Sequence, residues 1–185
     1  MSESLILPGS FDDPFDMGVS YVKTAPVPRS QGCEGCGRLS SCKTPKFPIY
    51  GQGAKGILIV SEVPGPQDDE DGIPLSGESG SLLRKELRTH GIDLKRDCWT
   101  VFAVRCHGPK PTGQQVTACR GFVSRDIAAL SPKVIIPTGI LAVQAVLDDR
   151  IRGRMTGTKP TAFYGCRIPD QEYGAWVCPV EGLIT

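Results

Sequence analysis

The sequence predicts an α/β fold in which a mostly parallel sheet is covered by helices on both faces. Three apolar runs, at 57–60, 99–104 and 133–139, have the length expected of buried parallel strands. The run AWVCP at 175–179 is a weaker fourth candidate. Segments with helical periodicity separate these runs, and such alternation is typical of parallel sheets.

Three helices are predicted from apolar residues that recur at intervals of three and four positions. They cover residues 79–90, 114–130 and 140–147. In open parallel sheets, ligands bind beyond the carboxyl ends of the strands. The functional site is therefore expected in the loops that leave those ends. These loops are 61–78, 105–113 and 137–139.

The composition fits one soluble domain. The 185 residues are 39% apolar, which suffices for one core, and no apolar stretch reaches the length of a membrane span. The 21 Lys and Arg against 20 Asp and Glu leave a net charge of +1, so nucleic-acid binding would need a local basic patch. We expect a cytoplasmic protein, with a domain over 32–185 and a proline-rich, extended or mobile arm over 1–31.

Eight cysteines are many for a reducing compartment, and they indicate metal or redox chemistry before disulfides. Cys33 and Cys36 form a C-x2-C pair, whose spacing lets two thiolates meet at one metal centre. Cys106 and Cys119 are candidates for the other half. Spacing leaves alternatives open, since Cys119 suits core packing, a zinc site would use the same four ligands, and Cys42 is near enough to replace one. The cysteines interpreted as packing or incidental thiols are Cys42, Cys98, Cys166 and Cys178.

The loop after the first strand is rich in glycine, proline and acidic residues. It reads SEVPGPQDDEDGIPLSGESG over 61–80, and its glycines let backbone amides approach a ligand closely. Glu62 directly follows the strand, and an acidic run begins at Asp68. Such a run is most often a solvated turn. Alternatively, one carboxylate near a pocket can position water or stabilise positive charge in a transition state.

This loop resembles the first motif of the thermophile-type, or family 4, uracil-DNA glycosylases, approximately GEAPGxxEDxxGxPFVGxxG. Asp68 stands where the family has Glu, Cys106 falls in the position of the family's NxxKCRPP motif, and KVIIPTGILAV is similar to its PKVIVxLGxxA segment. The C-x2-C pair lies upstream, as in the family. The matching positions of the first motif are Glu62, Pro64, Gly65, Asp69, Gly72, Pro74, Gly77 and Gly80.

The resemblance implies a three-layer α/β/α fold around a central four-stranded parallel sheet. It also implies a structural 4Fe-4S cluster on Cys33, Cys36, Cys106 and Cys119, and so favours iron over zinc. The expected partner is uracil-containing or damaged DNA in the nucleoid, the expected reaction is hydrolysis of the N-glycosidic bond of a flipped base, and a monomer is expected. Glu62 and Asp68 are the expected catalytic residues.

The base pocket implied by the resemblance departs from the family in three places. Leu75 replaces the phenylalanine that stacks on uracil, and Phe102 replaces the asparagine that reads the uracil edge. The family's histidine motif after the last strand has no counterpart before the sequence ends, so the chain is either truncated near that motif or lacks it. The predicted pocket residues are Pro64, Gly65, Gln67, Leu75 and Phe102.

The DNA contact is expected near the third cysteine. Arg105, His107 and Lys110 surround Cys106 and are predicted to bind phosphate, with Arg120 and Arg125 as further contributors; scattered surface charge is the alternative.

Three functional hypotheses follow. The leading one is a repair glycosylase that excises uracil or a related deaminated base. The alternative is a catalytically degenerate iron-sulfur module that binds DNA in a replication or repair complex, and a zinc-stabilised nucleotide-binding protein is a weaker third.

Overall fold

A computed structural model describes Cys33, residues 36–152 and residues 159–183; the arm predicted over 1–31 lies outside these residues. Within them the chain forms a five-stranded sheet in the order β2-β1-β3-β5-β4. The first four strands in this order are parallel, and β4 pairs antiparallel with β5. The strands are β1 (Ile57–Ser61), β2 (Cys98–Phe102), β3 (Val134–Pro137), β4 (Ile168–Asp170) and β5 (Ala175–Val177).

The predicted α/β class and all four predicted strands are confirmed, but the expected count of four is corrected to five. The additional strand, β4, is only three residues long and contains a proline, so it carries no alternating or continuous apolar pattern. It is an edge strand, where a proline is tolerated because its missing N–H has no ladder bond to make.

The helices cover both faces of the sheet, and the three longer ones match the prediction. Two short helices were not predicted, because one lies in the acidic run and the other has a single turn. The helices are α1 (Pro66–Asp71), α2 (Glu78–Thr89), α3 (Leu94–Asp97), α4 (Gly113–Leu130) and α5 (Ile140–Arg152), with a short 3-10 helix at Pro160–Phe163.

Alternate residues of β1 pack into different clusters, which gives the three layers. Leu58 and Val60 share one cluster with Val123 of α4 and Val143 of α5. Ile59 belongs to a second cluster that includes the α3 residue Leu94, with Leu83 and Leu87 of α2 packed against it. Because side chains alternate across a strand, the two clusters lie on opposite faces of the sheet. The implied α/β/α arrangement is confirmed.

The strand register brings the predicted loops together. Ser61 pairs with Phe102, and Val60 with Pro137, so β1, β2 and β3 end at the same edge. The loops that follow these strands must therefore meet there. Of the helices in the described part of the chain, none has the length and apolarity needed to cross a membrane.

Candidate functional site

A cleft opens at the carboxyl edge of the sheet. Its volume is about 370 Å³, which is within the range of small-molecule sites. The loop after β1 forms most of its wall, the first turn of α2 contributes another part, and the end of β3 completes it. The lining residues are Ser61, Glu62, Val63, Gly65, Pro66, Gln67, Asp68, Leu75, Gly77, Glu78, Ser79, Gly80, Thr138 and Leu183.

Glu62 is held in this cleft by the start of α5. Its Oε1 accepts a hydrogen bond from the backbone amide of Leu141 at 2.9 Å. A carboxylate suits this position because the N-terminal amides of a helix carry partial positive charge. Gly139 leaves the necessary space, since a Cβ on it would lie 2.5 Å from the Glu62 carboxyl carbon. The Glu62 side chain is therefore oriented by two features of the β3–α5 turn.

Asp68 organises the loop itself. Its carboxylate accepts the backbone amides of Gly65 at 2.9 Å, Ser76 at 2.8 Å and Gly77 at 3.4 Å, and the Ser76 hydroxyl at 3.2 Å. The residue is only 4% exposed. Both ends of the loop are thereby tied to one side chain. This explains how an acidic run forms the short helix α1, where Pro66 starts the helix and Gly72 ends it in the left-handed conformation.

Leu75 has an unusual backbone for a non-glycine residue, with φ of 56°. Two contacts hold it: Nη1 of Arg84 donates to its carbonyl at 2.7 Å, and Gly80 approaches so closely that a Cβ there would lie 1.7 Å from the same oxygen. Left-handed backbone at a branched residue costs on the order of 1–3 kcal/mol, and such strain clusters at binding sites. The Leu75 side chain is buried and lines the cleft.

Phe102 lies in the core near Leu75. The two residues share one buried cluster, and the Phe102 ring meets Phe47 edge to face, with centroids 5.5 Å apart. The described residues that line the cleft do not include Phe102 or Pro64, although both were predicted for the pocket. Of the other predicted pocket residues, the structure brings Gly65, Gln67 and Leu75 together in the lining.

All four predicted cysteine ligands line a second, small cavity with a volume of about 20 Å³. Apolar and basic side chains complete the wall. In the described part of the chain, no three His, Cys, Asp or Glu side chains converge closely enough to hold one ion. The four cysteines therefore share the wall of one cavity. The lining residues are Cys33, Cys36, Leu39, Lys46, Val104, Arg105, Cys106, Ala118, Cys119 and Phe122.

The cysteines differ in their surroundings. Burial raises the pKa of the Cys119 thiol, and the nearby Cys36 raises it further. Burial and then the adjacent Cys106, with which it forms a hydrogen bond, raise the pKa of Cys42. Cys42 thus lies beside one predicted ligand without lining the cavity. Cys98 is fully buried in the core, and this burial raises its pKa to about 11, as expected of a packing thiol.

The segment that follows the C-x2-C pair ties the cavity to the cleft. The carboxylate of Asp69 accepts the amides of Lys43 at 2.9 Å and Thr44 at 2.7 Å. Burial raises the pKa of Asp69, but these two hydrogen bonds outweigh it and hold the pKa below its ordinary value. Two residues further on, the amide of Lys46 donates to the Cys106 sulfur at 3.4 Å. The segment from Lys43 to Lys46 therefore contacts both α1 and Cys106.

Arg38 fixes the other side of the third-cysteine loop. Its Nε donates to the Cys106 carbonyl at 3.2 Å and its Nη1 to the Pro109 carbonyl at 2.7 Å, and the residue is only 4% exposed. Sequence reasoning missed Arg38 and the role of Asp69, because each acts across more than 20 residues of chain. The only available signal was their position beside a cysteine motif and a glycine-rich loop.

The three residues predicted to bind DNA have different surroundings. Arg105 is 13% exposed, forms an ion pair with Asp126, and lines the cysteine cavity. Burial lowers the pKa of its guanidinium. His107 is half-buried, with its Nδ1 2.8 Å from the Pro64 carbonyl oxygen. Lys110 is exposed. Of the three, only Lys110 has an exposed side chain, while Arg105 forms part of the cavity wall.

Fold and site together define an α/β protein with a cleft at the strand ends and a separate cysteine-lined cavity. A sequence profile of the Uracil DNA glycosylase superfamily matches residues 48–180. The chain belongs to this superfamily, as its first loop motif predicted.

Curated relatives narrow the similarity within the superfamily. The chain is similar to the type-4 uracil-DNA glycosylase of Pyrobaculum aerophilum, at 30% identity over 64% of this chain and 61% of the relative. The enzyme of that name from Archaeoglobus fulgidus is 30% identical over 63% of this chain and 59% of the relative. The one from Thermotoga maritima is 33% identical over 51% of this chain and 50% of the relative. The chain thus matches between half and about three fifths of each relative's length.

Proposed function

We propose that the protein is a uracil-DNA glycosylase, which hydrolyses the N-glycosidic bond between uracil, or a related deaminated base, and deoxyribose. The proposal rests on the position of Glu62. The Leu141 amide holds its carboxylate in a cleft of suitable size at the strand ends. Three relatives named as type-4 uracil-DNA glycosylases support the substrate class.

The target base must leave the helical stack before it can enter the cleft. As the glycosidic bond breaks, positive character develops on the sugar and negative charge on the base. A carboxylate held in place without rearrangement stabilises the sugar cation and orients the attacking water. We assign this role to Glu62, because its hydrogen bond to α5 fixes its orientation while it still lines the cleft.

Asp68 has a positioning role in this mechanism. Its carboxylate already accepts hydrogen bonds from Gly65, Ser76 and Gly77. A side chain so fully engaged shapes the loop that receives the base. Leu75 supplies an aliphatic contact to the base where the resemblance implies an aromatic one, and this favours a less selective pocket that also admits other deaminated bases.

The donor set of the cysteine cavity fits a 4Fe-4S cluster. Four thiols are the ligands of such clusters, and the four cysteines line one cavity. Cys33, Cys36, Cys106 and Cys119 would hold it. When bound, the cluster supplies a structural cross-link between the C-x2-C segment, the third-cysteine loop and α4. We propose that the protein works as a monomer on cytoplasmic, nucleoid DNA.

Release of free uracil from a single-uracil oligonucleotide tests the function. We expect Glu62→Gln to lower the rate by about 100- to 10,000-fold, the usual contribution of such a group. The matched control is Glu86→Gln, an exposed carboxylate on α2, which should keep the wild-type rate. A wild-type protein that binds the strand without releasing base, or a Glu62→Gln variant of full activity, would contradict the proposal.

A further inference from the structure

The outer face of α2 carries a basic groove. It is lined by Ser81, Arg84, Lys85, Arg88 and Thr89, with no carboxylate among them. The three cations lie within one turn of each other on the same side of the helix. Lys85 and Arg88 are exposed, and of the ion pairs formed by the described residues none includes either one. Their charges are therefore available to a ligand.

The groove and one wall of the cleft lie on the same helix, α2. Glu78, Ser79 and Gly80 of the first turn line the cleft, and the groove begins at the next residue, Ser81. At the rise of an α-helix, Arg88 lies about 12 Å along the axis from Gly80. The groove is therefore within reach of a chain-like ligand that has one unit in the cleft.

Arg84 connects the two sites physically. Its Nη1 donates to the Leu75 carbonyl at 2.7 Å, and its Nη2 donates to the Ser81 hydroxyl at 3.1 Å. One guanidinium thereby supports the left-handed residue of the cleft and forms part of the groove wall. The groove and the base-binding loop are held in a fixed relation to each other.

We propose that this groove binds the backbone phosphates of the DNA strand next to the base in the cleft. The proposal rests on the proposed function, because that function places a nucleotide in the cleft. Lysine, arginine and hydroxyl side chains are the groups that most often contact DNA phosphates. The net charge of the whole chain is only +1, so three cations on one helix face are a local concentration.

A purely structural role explains the groove less well. A cation in the last turn of a helix is favourable because it faces the negative end of the helix dipole. That account covers Arg88, which lies in the last turn of α2, but it gives no reason for the exposed Lys85 or for the pairing of Arg84 with the cleft.

The test compares the double variant Lys85→Gln, Arg88→Gln with a control that loses two exposed cations elsewhere. The control is Lys95→Gln, Lys133→Gln, two exposed lysines that shortly precede β2 and β3 at the amino edge of the sheet, away from the cleft. Binding of a single-stranded uracil oligonucleotide is measured at several salt concentrations in the Glu62→Gln background, where the strand stays intact. On a single strand, each lost phosphate contact makes the negative slope of log affinity against log salt less steep by about 0.7.

We expect the slope of log affinity against log salt to become less steep by about 1.4 in the groove variant and to stay unchanged in the control. An unchanged slope in the groove variant, or an equal change in both variants, overturns the proposal. Uracil release by the wild-type protein is assayed separately. If release fails while the slope still becomes less steep only in the groove variant, the glycosylase function is wrong and the groove remains a DNA-binding surface.

Discussion

The imidazole of His107 is bound to the backbone carbonyl of Pro64, with its Nδ1 2.8 Å from that oxygen. Because a carbonyl can only accept, Nδ1 carries the hydrogen. His107 directly follows a predicted cluster ligand, Cys106, and Pro64 belongs to the loop that forms the cleft. This bond and the Asp69 bonds to Lys43 and Thr44 are two separate ties between the cysteine cavity and the cleft.

The Asp69 tie predicts a specific dependence of stability on pH. The pKa of Asp69 is below its ordinary value of 3.8 in the folded protein. Its stabilising effect is therefore complete above that value and is lost as the pH falls through the lower folded pKa. We expect Asp69→Asn to lower the urea midpoint of unfolding at pH 5 to 8, and the difference from wild type to shrink below about pH 4.

The control for this experiment is Asp71→Asn in the same helix, where the exposed carboxylate accepts only a side-chain bond from Gln67. It should change the midpoint little at any pH. A constant difference between wild type and Asp69→Asn down to acid pH would contradict the account.

Gly139→Ala should displace the carboxylate of Glu62 from its position in the cleft. The added Cβ would lie 2.5 Å from the Glu62 carboxyl carbon, and the φ of 90° at this position already disfavours alanine. We expect a fall in uracil release close to that of Glu62→Gln, with a measurable fall in thermal midpoint.

Gly91→Ala is the matched control for that substitution, because Gly91 has a φ of 68° but nothing within 4 Å of the added Cβ. It should lose stability on the order of 1 kcal/mol and keep its rate of uracil release. Equal rates in the two variants would show that the Glu62 position does not depend on Gly139.

Leu75→Phe tests the aliphatic contact to the base. An aromatic ring stacks on a base with about 1–3 kcal/mol, so base discrimination and affinity for a uracil strand should rise. The larger side chain must fit a buried site of left-handed backbone, and overpacking costs about 1–3 kcal/mol, so thermal stability should fall. Kinetics with uracil and hypoxanthine strands measure the first effect; an unchanged ratio of the two rates would place Leu75 outside the base contact.

The cysteine cavity gives a prediction on ligand identity. Cys119→Ser should lower the iron and acid-labile sulfide content of anaerobically purified protein, because Cys119 lines the cavity. Cys42→Ser should retain both, since Cys42 lies beside Cys106 but does not line the cavity. Loss of iron in the Cys42 variant with retention in the Cys119 variant would reverse the ligand assignment.

Most of the fold could be predicted from the sequence, because the buried strands β1, β2 and β3 are continuous apolar runs bounded by turn residues. Sequence reasoning missed β4, a proline-containing edge strand stabilised only by its neighbour. It predicted Glu62 and the four cysteines as residues of two sites, since each follows a strand or forms a spaced motif, and the structure places Glu62 in the cleft wall and the four cysteines in the wall of the second cavity. The engagement of Asp68 with three backbone amides could not be read from the sequence, because it depends on how the loop folds back.

We propose above all that this chain converts uracil-containing DNA into an abasic strand and free base. The most direct measurement is identification of both products after incubation of anaerobically purified wild-type protein with a single-uracil oligonucleotide. The account predicts free uracil and an abasic strand in equal amounts over many turnovers. An intact strand recovered in complex with iron-loaded protein would contradict it.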